Sequence, residues 1–577
     1  MLDNAAIART LGEIADLLEI KGENPFKIRA YRMAADLAAD AAESLAALDE
    51  PALRALPGIG KDLATRIREL ATTGRSAVRE ALLTEFPETI LDLLRLQGVG
   101  PKTVARLHQE LGVDSLATLE QAARDGRIRG MKGMGARKEQ LILKALEERQ
   151  RHAGRHLLAD TVETAGALVA WLRGQAPGVE FLPVGSLRRG VETCGDIDIL
   201  AVGASADVMG TFVQYEQAER TLGHGETKSS VLLRGGYQCD LRLVAPESRG
   251  AALQYFTGSK AHNIALRDRA IAAGLRLNEY GLYRTADDTR VAGDTEEGIY
   301  DALGLAWVPP ELREFRDELA LAEAHALPVL LEEGDLRGDL HMHTTETDGR
   351  DDLESMVRAA RALGLEYIAI TDHSQALAMA NGLDERRALA HAARVRALND
   401  RVEGIHVLAG IECDILPDGR MDLADDCLAQ LDLVIASVHS ALHQEEAEMT
   451  DRMLRAIAHP SVDIIGHATG RLLLKRAGSR VRIETLIDAA AAYGVAFEIN
   501  SQVDRLDLSD SHARLARARG VPLVISSDAH AVGALALRRW GTVVARRAGL
   551  TRDDVLNTRP FEAFRAALRR HRPGAAV

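Results

Sequence analysis

Gly185-Ser186-Leu187-Arg188-Arg189-Gly190-Val191-Glu192-Thr193-Cys194-Gly195-Asp196-Ile197-Asp198 is the stretch on which the reading of this chain turns. Its first half is a glycine-bounded turn carrying a hydroxyl and two guanidinium groups. Its second half opens an apolar strand with acids at i and i+2. Alternate side chains of a strand share a face, so Asp196 and Asp198 point the same way. Two carboxylates side by side repel unless cations sit between them. Mg²⁺ or Mn²⁺ does that and also binds triphosphate oxygens, so two such ions are expected here. Gly185 and Gly195 permit the tight backbone, and Ser186 and Arg189 are placed to contact terminal phosphates, Arg189 through its fork of donors. Asp240, in Gln238-Cys239-Asp240-Leu241-Arg242, lies in a second apolar strand and completes a set of three acids.

Upstream, a different device repeats. Pro57-Gly58-Ile59-Gly60-Lys61, Gln97-Gly98-Val99-Gly100-Pro101-Lys102 and Lys132-Gly133-Met134-Gly135-Ala136-Arg137 each place Gly-apolar-Gly before a helical stretch, with a cation nearby. The glycines allow close backbone approach, and the exposed amides at a helix start face an anion. The pattern resembles the helix-hairpin-helix motif, which grips DNA phosphates without reading bases. Gly58, Gly60, Lys61, Gly98, Gly100, Lys102, Gly133 and Gly135 are the residues expected at the DNA.

A chain of 577 residues is too long for one core, and about three to five compact units are expected. The net charge of −14 excludes a protein coated in basic residues but leaves room for a local basic groove. The four cysteines show no paired spacing and read as small buried residues of a reducing compartment. No apolar run of about 18 residues occurs, so no membrane contact is expected, and the protein is placed in the cytoplasm with the nucleoid. No oligomerisation signal stands out, and a monomer is the default.

Residues 1–155 show helical apolar spacing and no strand alternation. From 160 to 310 strands and helices mix, with strands expected at 181–184, 196–202, 230–233 and 238–244. Pro309-Pro310 ends that region. From 338 onward strand-like runs at 367–371, 407–411, 433–438, 464–467, 496–499 and 523–526 alternate with Ala-rich helices, which predicts a parallel barrel.

Twelve of the 18 histidines lie after residue 340. His341 and His343 share a strand face, and Asp348 follows. His373, Glu412, His439, His467, Asp528 and His530 close later strands, where such a barrel gathers its site. Six imidazoles with three carboxylates suit Zn²⁺, Mn²⁺ or Fe²⁺. His391, His406, His443, His459, His512 and His571 fit no ligand pattern.

Gly185-Ser186…Arg189…Asp196-Ile197-Asp198, with Tyr255-Phe256-Thr257-Gly258-Ser259, Asn263, Arg267 and Asn278-Glu279-Tyr280, resembles the DNA polymerase X family from residue 1 to about 315. Asn24-Pro25-Phe26-Lys27…Arg29-Ala30-Tyr31 belongs to the same resemblance. It implies a helical DNA-end-binding domain (1–80), a fingers-like helical subdomain on the duplex (81–155), an α+β nucleotidyltransferase palm (156–250) and a nucleotide-binding subdomain (251–315). It further implies that Asp196, Asp198 and Asp240 bind metal, that Tyr255 and Phe256 flank the incoming sugar beside Gly258, that Asn263 meets the base edge, and that Arg267 lies near the template. Family members often carry a 5′-deoxyribose-phosphate lyase in the first domain, whose nucleophilic Lys falls at position 66; Arg66 stands there and cannot form a Schiff base. After a join at 316–336, residues 337–577 resemble the PHP (polymerase and histidinol phosphatase) family. That implies a distorted barrel with up to three metals that cleaves phosphoesters, here as a 3′→5′ exonuclease. Pro commonly follows the ligand His in that family, whereas Ala468 follows His467. Arg471 is a candidate for holding a phosphate, or for an exposed salt bridge. The whole reads as a repair polymerase acting on gapped or nicked duplex and its 3′ ends with dNTPs, in the manner of base excision repair. The competing readings are a DNA-end-binding module whose sole active site is the barrel, and a small-molecule phosphatase.

Overall fold

Ile197, Ile199 and Ala201 on one side, and Leu200 and Val202 on the other, make Asp196–Val202 a strand buried on both faces. It is second in a five-stranded sheet ordered Glu180–Pro183, Asp196–Val202, Gln238–Val244, Lys228–Leu233, Ala218–His224. The odd-numbered side chains pack with Leu168 and Leu172 of helix Leu158–Gln175. The even-numbered ones pack with Ala252 and Leu253 of helix Arg249–Thr257. Asp196 and Asp198 extend that even face beyond the apolar core, where a charge is affordable. Asp196–Val202 and Gln238–Val244 run parallel with Asp198 opposite Asp240, while the remaining pairs are antiparallel.

This computed structural model describes residues 4–40, 45–56, 58–96, 99–152 and 154–569. The chain divides into two compact units, Met1–Ala153 and Gly154–Val577. Within the described part of the first unit every regular element is a helix. In its first helix, Asn4–Lys21, Ile7, Leu11, Ile14 and Leu18 are buried at helical spacing. Its three glycine turns share one construction. The apolar residue between the glycines is buried, and its N–H donates to a carbonyl three residues back: Ile59 to Leu56 (3.2 Å), Val99 to Leu96 (3.1 Å) and Met134 to Met131 (3.1 Å). Gly60, Gly100 and Gly135 then start the helices Lys61–Thr73, Pro101–Leu111 and Gly135–His152 or cap them, with Lys61, Lys102 and Lys132 exposed. Gly58 and Gly133 both have φ +78°, a region glycine occupies without strain. Gly98 and Pro57 lie outside the described residues.

In the second unit the sheet is followed by helix Lys260–Ala272, a three-stranded antiparallel sheet (Leu275–Asn278, Gly281–Arg284, Arg290–Ala292) and helix Glu296–Ala302. Seven parallel strands then appear in chain order: Gly338–Asp339, Tyr367–Ile370, His406–Asp414, Leu433–Ser437, Ile464–Ile465, Ala496–Asn500 and Leu523–Ser526. A parallel bridge between Met342 and Ala529 draws the last strand to the first and nearly closes the barrel. Residues 316–336 pack against it: Leu331 is fully buried, its N–H donates to the Leu550 carbonyl, and its carbonyl accepts from the Arg546 guanidinium.

The sequence reading missed Ala218–His224 and the three short strands after 275. Ala218–His224 is an edge strand that is almost wholly exposed, so it carries no apolar alternation to detect.

Candidate functional sites

The turn Gly185–Arg188 is a single helical turn laid over the acid strand. Gly185 has φ +69°, and a Cβ there would stand 3.1 Å from Asp198 Oδ2. Only glycine lets the turn come this close. Gly185→Ala should therefore lower primer extension about tenfold or more through strain and displacement of Asp198, with 3′-end degradation unchanged; equal rates of extension would refute this.

Asp198 is half-buried beside two further carboxylates. Burial, then Asp196 and Asp240, lift its pKa from 3.8 to about 6. Burial pushes Asp240 the same way, but Lys228, whose Nζ lies 2.6 Å from Oδ2, together with hydrogen bonds from Ser230 and Gln238 more than offsets it and holds the group below its usual value. A carboxylate that retains its proton to about pH 6 for want of positive charge is one that a cation would deprotonate. Proton and metal then compete for Asp198. The Mn²⁺ concentration for half-maximal extension should be flat above about pH 7 and rise by up to tenfold per unit below about pH 6. A flat profile down to pH 5 would contradict this.

The nucleotide-side residues are gathered close by. Tyr255 and Phe256 meet edge to face with ring centroids 5.1 Å apart, and the Arg242 guanidinium lies 4.6 Å from the Phe256 ring centre. Asn263 donates to the Tyr255 carbonyl (2.6 Å) and accepts from Gln254 (2.7 Å). Arg267 is exposed on the helix Lys260–Ala272. Ser186 is half-buried in the turn. Arg189 is already engaged: Nη1 donates to the Thr257 carbonyl (2.5 Å), beside Gly258, and Nε to Glu314 (3.0 Å). Gly195 leads into the acid strand, with Arg155 alongside.

The second cluster lies at the carboxyl ends of the barrel strands. Three groups of ligand atoms form there, each group within 4.8 Å: His343, Asp348, His373 and His530; His341, His343 and Asp528; His373, Glu412 and His439. His343 and His373 each belong to two groups, so the three are contiguous. His467 stands beside the third, with Nε2 3.0 Å from Glu412 Oε1. His467 (φ +23°) and Asp528 (φ +53°) hold backbone conformations that non-glycine residues seldom adopt, as is common where function fixes a side chain. His341 Nε2, His343 Nδ1, His373 Nδ1, Glu412 Oε2 and His467 Nδ1 are buried without a hydrogen-bond partner. His373 Nδ1 and Glu412 Oε2 are 2.8 Å apart, yet not aligned as a hydrogen bond. Buried nitrogens and a carboxylate oxygen left without hydrogen bonds in such a cluster fit bound cations.

The charges tell the same story. Burial would lower the pKa of His373, but Glu412 and Asp348 raise it to about 10; burial likewise opposes Glu412 and Asp414 at His439, which rises to about 9. Burial, with His373 and His530 nearby, drives His343 down to about 4. Glu412 and Asp528 fall well below ordinary carboxylates despite burial, because imidazoles surround them.

Outer partners fix three of the six rings. His341 Nδ1 lies 2.7 Å from Glu498 Oε1, which turns Nε2 inward. His439 Nδ1 meets Asp414 (3.1 Å), and His530 Nδ1 meets the Asp528 carbonyl (2.9 Å). Such partners set the tautomer and the ring orientation. Sequence reasoning passed over Glu498 and Asp414, although a glutamate inside the buried strand Ala496–Asn500 is itself a signal. It also set aside His391, whose Nε2 lies 3.0 Å from the buried Asp372 beside His373.

Of the two readings of Arg471, the structure takes neither as stated. Its guanidinium is largely buried, forks onto Glu192 (2.7 and 3.2 Å) and donates to the Arg505 carbonyl (2.9 Å). It ties the loop after His467 to the loop before Asp196.

Comparison with known proteins follows these divisions. Residues 2–76 match a helix-hairpin-helix domain and residues 90–148 a tandem helix-hairpin-helix domain. Residues 252–314 match the DNA polymerase beta thumb and residues 339–502 the PHP domain. A protein named "probable phosphatase" from Thermoanaerobacter sp. is 30% identical over 231 residues, covering 38% of this chain and 89% of that relative. A ternary complex of Leishmania infantum polymerase beta aligns with 39% of this chain and 98% of its own, at 24% identity and TM-score 0.27. The DNA polymerase/3′-5′ exonuclease PolX of Bacillus subtilis is 38% identical over 569 residues, 98% of this chain and 99% of that relative. With both catalytic halves matched in one continuous alignment, the chain belongs to the PolX family.

Proposed function

We infer that this chain extends DNA 3′ ends with dNTPs at the Asp196, Asp198, Asp240 site and removes 3′ nucleotides at the barrel cluster. The observation that carries this is the presence, on one chain, of a carboxylate triple beneath a glycine turn and of three contiguous His/carboxylate groups. Gapped or nicked duplex in repair is the substrate that suits it. The three glycine turns of the first unit offer backbone amides and lysines to phosphates, and they imply no preference among sequences. The enzyme works as a monomer on cytoplasmic DNA. No helix among the described residues is long and apolar enough to cross a membrane.

Asp196, Asp198 and Asp240 would hold two Mg²⁺ or Mn²⁺ ions, which when bound supply Lewis acidity to the attacking hydroxyl and the departing phosphate. The chain's own groups do the rest. Lys228 keeps Asp240 ionised before loading. Ser186 and Arg189 take the terminal phosphates, Arg189 after leaving its present acceptors. Tyr255 and Phe256 flank the sugar, Asn263 meets the base edge, and Arg267 approaches the template. In the barrel His341, His343, Asp348, His373, Glu412, His439, His467, Asp528 and His530 would hold up to three Zn²⁺, Mn²⁺ or Fe²⁺ ions that neutralise the phosphodiester. Imidazole-rich donor sets favour those ions over Mg²⁺. Glu498, Asp414 and Asp528 aim the rings of His341, His439 and His530.

A primer labelled at its 5′ end in a gapped duplex with Mn²⁺ should lengthen when dNTPs are present and shorten when they are absent. Shortening under both conditions would reduce the first half to a DNA-end-binding module. Lyase chemistry is not expected. Arg66 pairs with Asp62 and Glu69 and has no neutral amine to offer. Borohydride should trap no covalent adduct on an incised abasic site, and an adduct would overturn that assignment.

A further inference from the structure

Helix Arg538–Arg547 of the barrel lies against the palm's phosphate turn. A Cβ on Gly190 would meet Val543 Cγ1 at 2.4 Å, so the helix packs its Val543 side chain directly on the glycine that ends the turn. The last residue of that helix, Arg547, is buried to 8% exposure. Its Nη1 donates to the main-chain carbonyl of Arg189 (2.7 Å) and to Glu314 Oε1 (3.1 Å). Glu314 Oε1 also accepts from Arg189 Nε (3.0 Å). Arg547 is held in turn by Asp510, which lies 2.9 Å from its Nη2 and 3.0 Å from Arg316 Nη2. One guanidinium of the exonuclease half therefore grips both the backbone of Arg189 and the carboxylate on which the Arg189 side chain rests.

We propose that Arg547 is a positioning residue for triphosphate binding by the polymerase. It fixes the backbone at Arg189 and stays on Glu314 when the Arg189 side chain leaves that carboxylate for the terminal phosphates of an incoming dNTP. The barrel is then a structural part of the dNTP site as well as a second active site. The inference rests on the assignment of Arg189 to the triphosphate. Arg547 touches no reacting atom. Its loss should weaken the holding of triphosphate and leave the chemical step nearly intact, because a misaimed guanidinium binds less well while the three acids are undisturbed.

The test is steady-state gap filling by the full chain. Arg547→Ala should raise the dNTP KM on the order of tenfold, the scale of one lost charge-assisted hydrogen bond, with kcat within about threefold. Arg547→Lys, which keeps one charged donor, should recover part of the loss. Arg547→Gln, which keeps a neutral donor and disturbs packing least, should show the same rise at about threefold. Degradation of a single-stranded 3′ end should be unchanged in all three and reports that each variant is folded. In an Arg189→Ala background, Arg547→Ala should add less than about twofold, because the two act through one contact. A raised KM for Arg189→Ala with an unchanged KM for Arg547→Ala and Arg547→Gln would overturn the proposal alone. A full tenfold effect of Arg547→Ala in the Arg189→Ala background would also overturn it. An unchanged KM for Arg189→Ala itself would overturn the triphosphate assignment and the proposal with it.

Discussion

Asp196→Ala should abolish primer extension, with a loss of at least about 10³-fold in rate, corresponding to several kcal/mol of transition-state stabilisation. The acid is the exposed member of the triple, at the mouth of a strand whose other residues, apart from the half-buried Asp198, are buried. Its removal costs little in packing, so the variant should fold normally. Asp198 and Asp240 alone leave two carboxylates to hold two divalent ions, and one of these is already neutralised by Lys228. Degradation of a labelled 3′ end in the same tube should proceed at the wild-type rate, since the barrel ligands are drawn from residues 341–530. Loss of both activities would refute separate sites, and full extension would leave the barrel as the sole catalyst.

The converse variant, His341→Ala, should lose 3′-end degradation by about 10³-fold or more while extension stays within about twofold. His341 is wholly buried, with Nδ1 on Glu498 and Nε2 3.4 Å from Glu412 Oε2. Truncation removes one ligand and also leaves Glu498 without its imidazole, in a pocket where nearby carboxylates then repel. Metal content should fall with activity, and metal analysis of the purified variant checks this independently. Unchanged degradation would exclude His341 from the site.

Much of this geometry could be anticipated from the chain because it depends on local repetition. Asp196 and Asp198 share a face by the two-residue period of a strand, and the histidines of the barrel stand where parallel strands end. The glycine turns showed themselves by recurring three times. What stayed hidden depends on distance along the chain. Glu498 meets His341 across 157 residues, Arg471 meets Glu192 across 279, and Arg547 reaches Arg189 across 358. No periodicity encodes such pairs; the first exists only once the barrel has closed, and the other two only once it has docked on the palm. Ala218–His224 escaped for another reason, since an edge strand facing water needs no apolar pattern. Arg189 was expected on phosphate, and nothing local announces that Glu314 holds it in the meantime.

The apolar core of the palm, from Leu158 and Phe181, runs without a break into that of the barrel at Val544 and Ala545. Separating the two would wet a shared interior, at roughly 25 cal/mol for each Å² exposed. The synthetic and exonuclease centres thus share one continuous apolar core, and moving one toward the other would mean opening it. A primer terminus rejected at Asp196 has to make the journey itself, by unpairing or by leaving and rebinding. The balance between writing and erasing is then governed by how long the DNA lingers, a property of the nucleic acid's dwell time and fraying that no hinge in the palm and barrel would set.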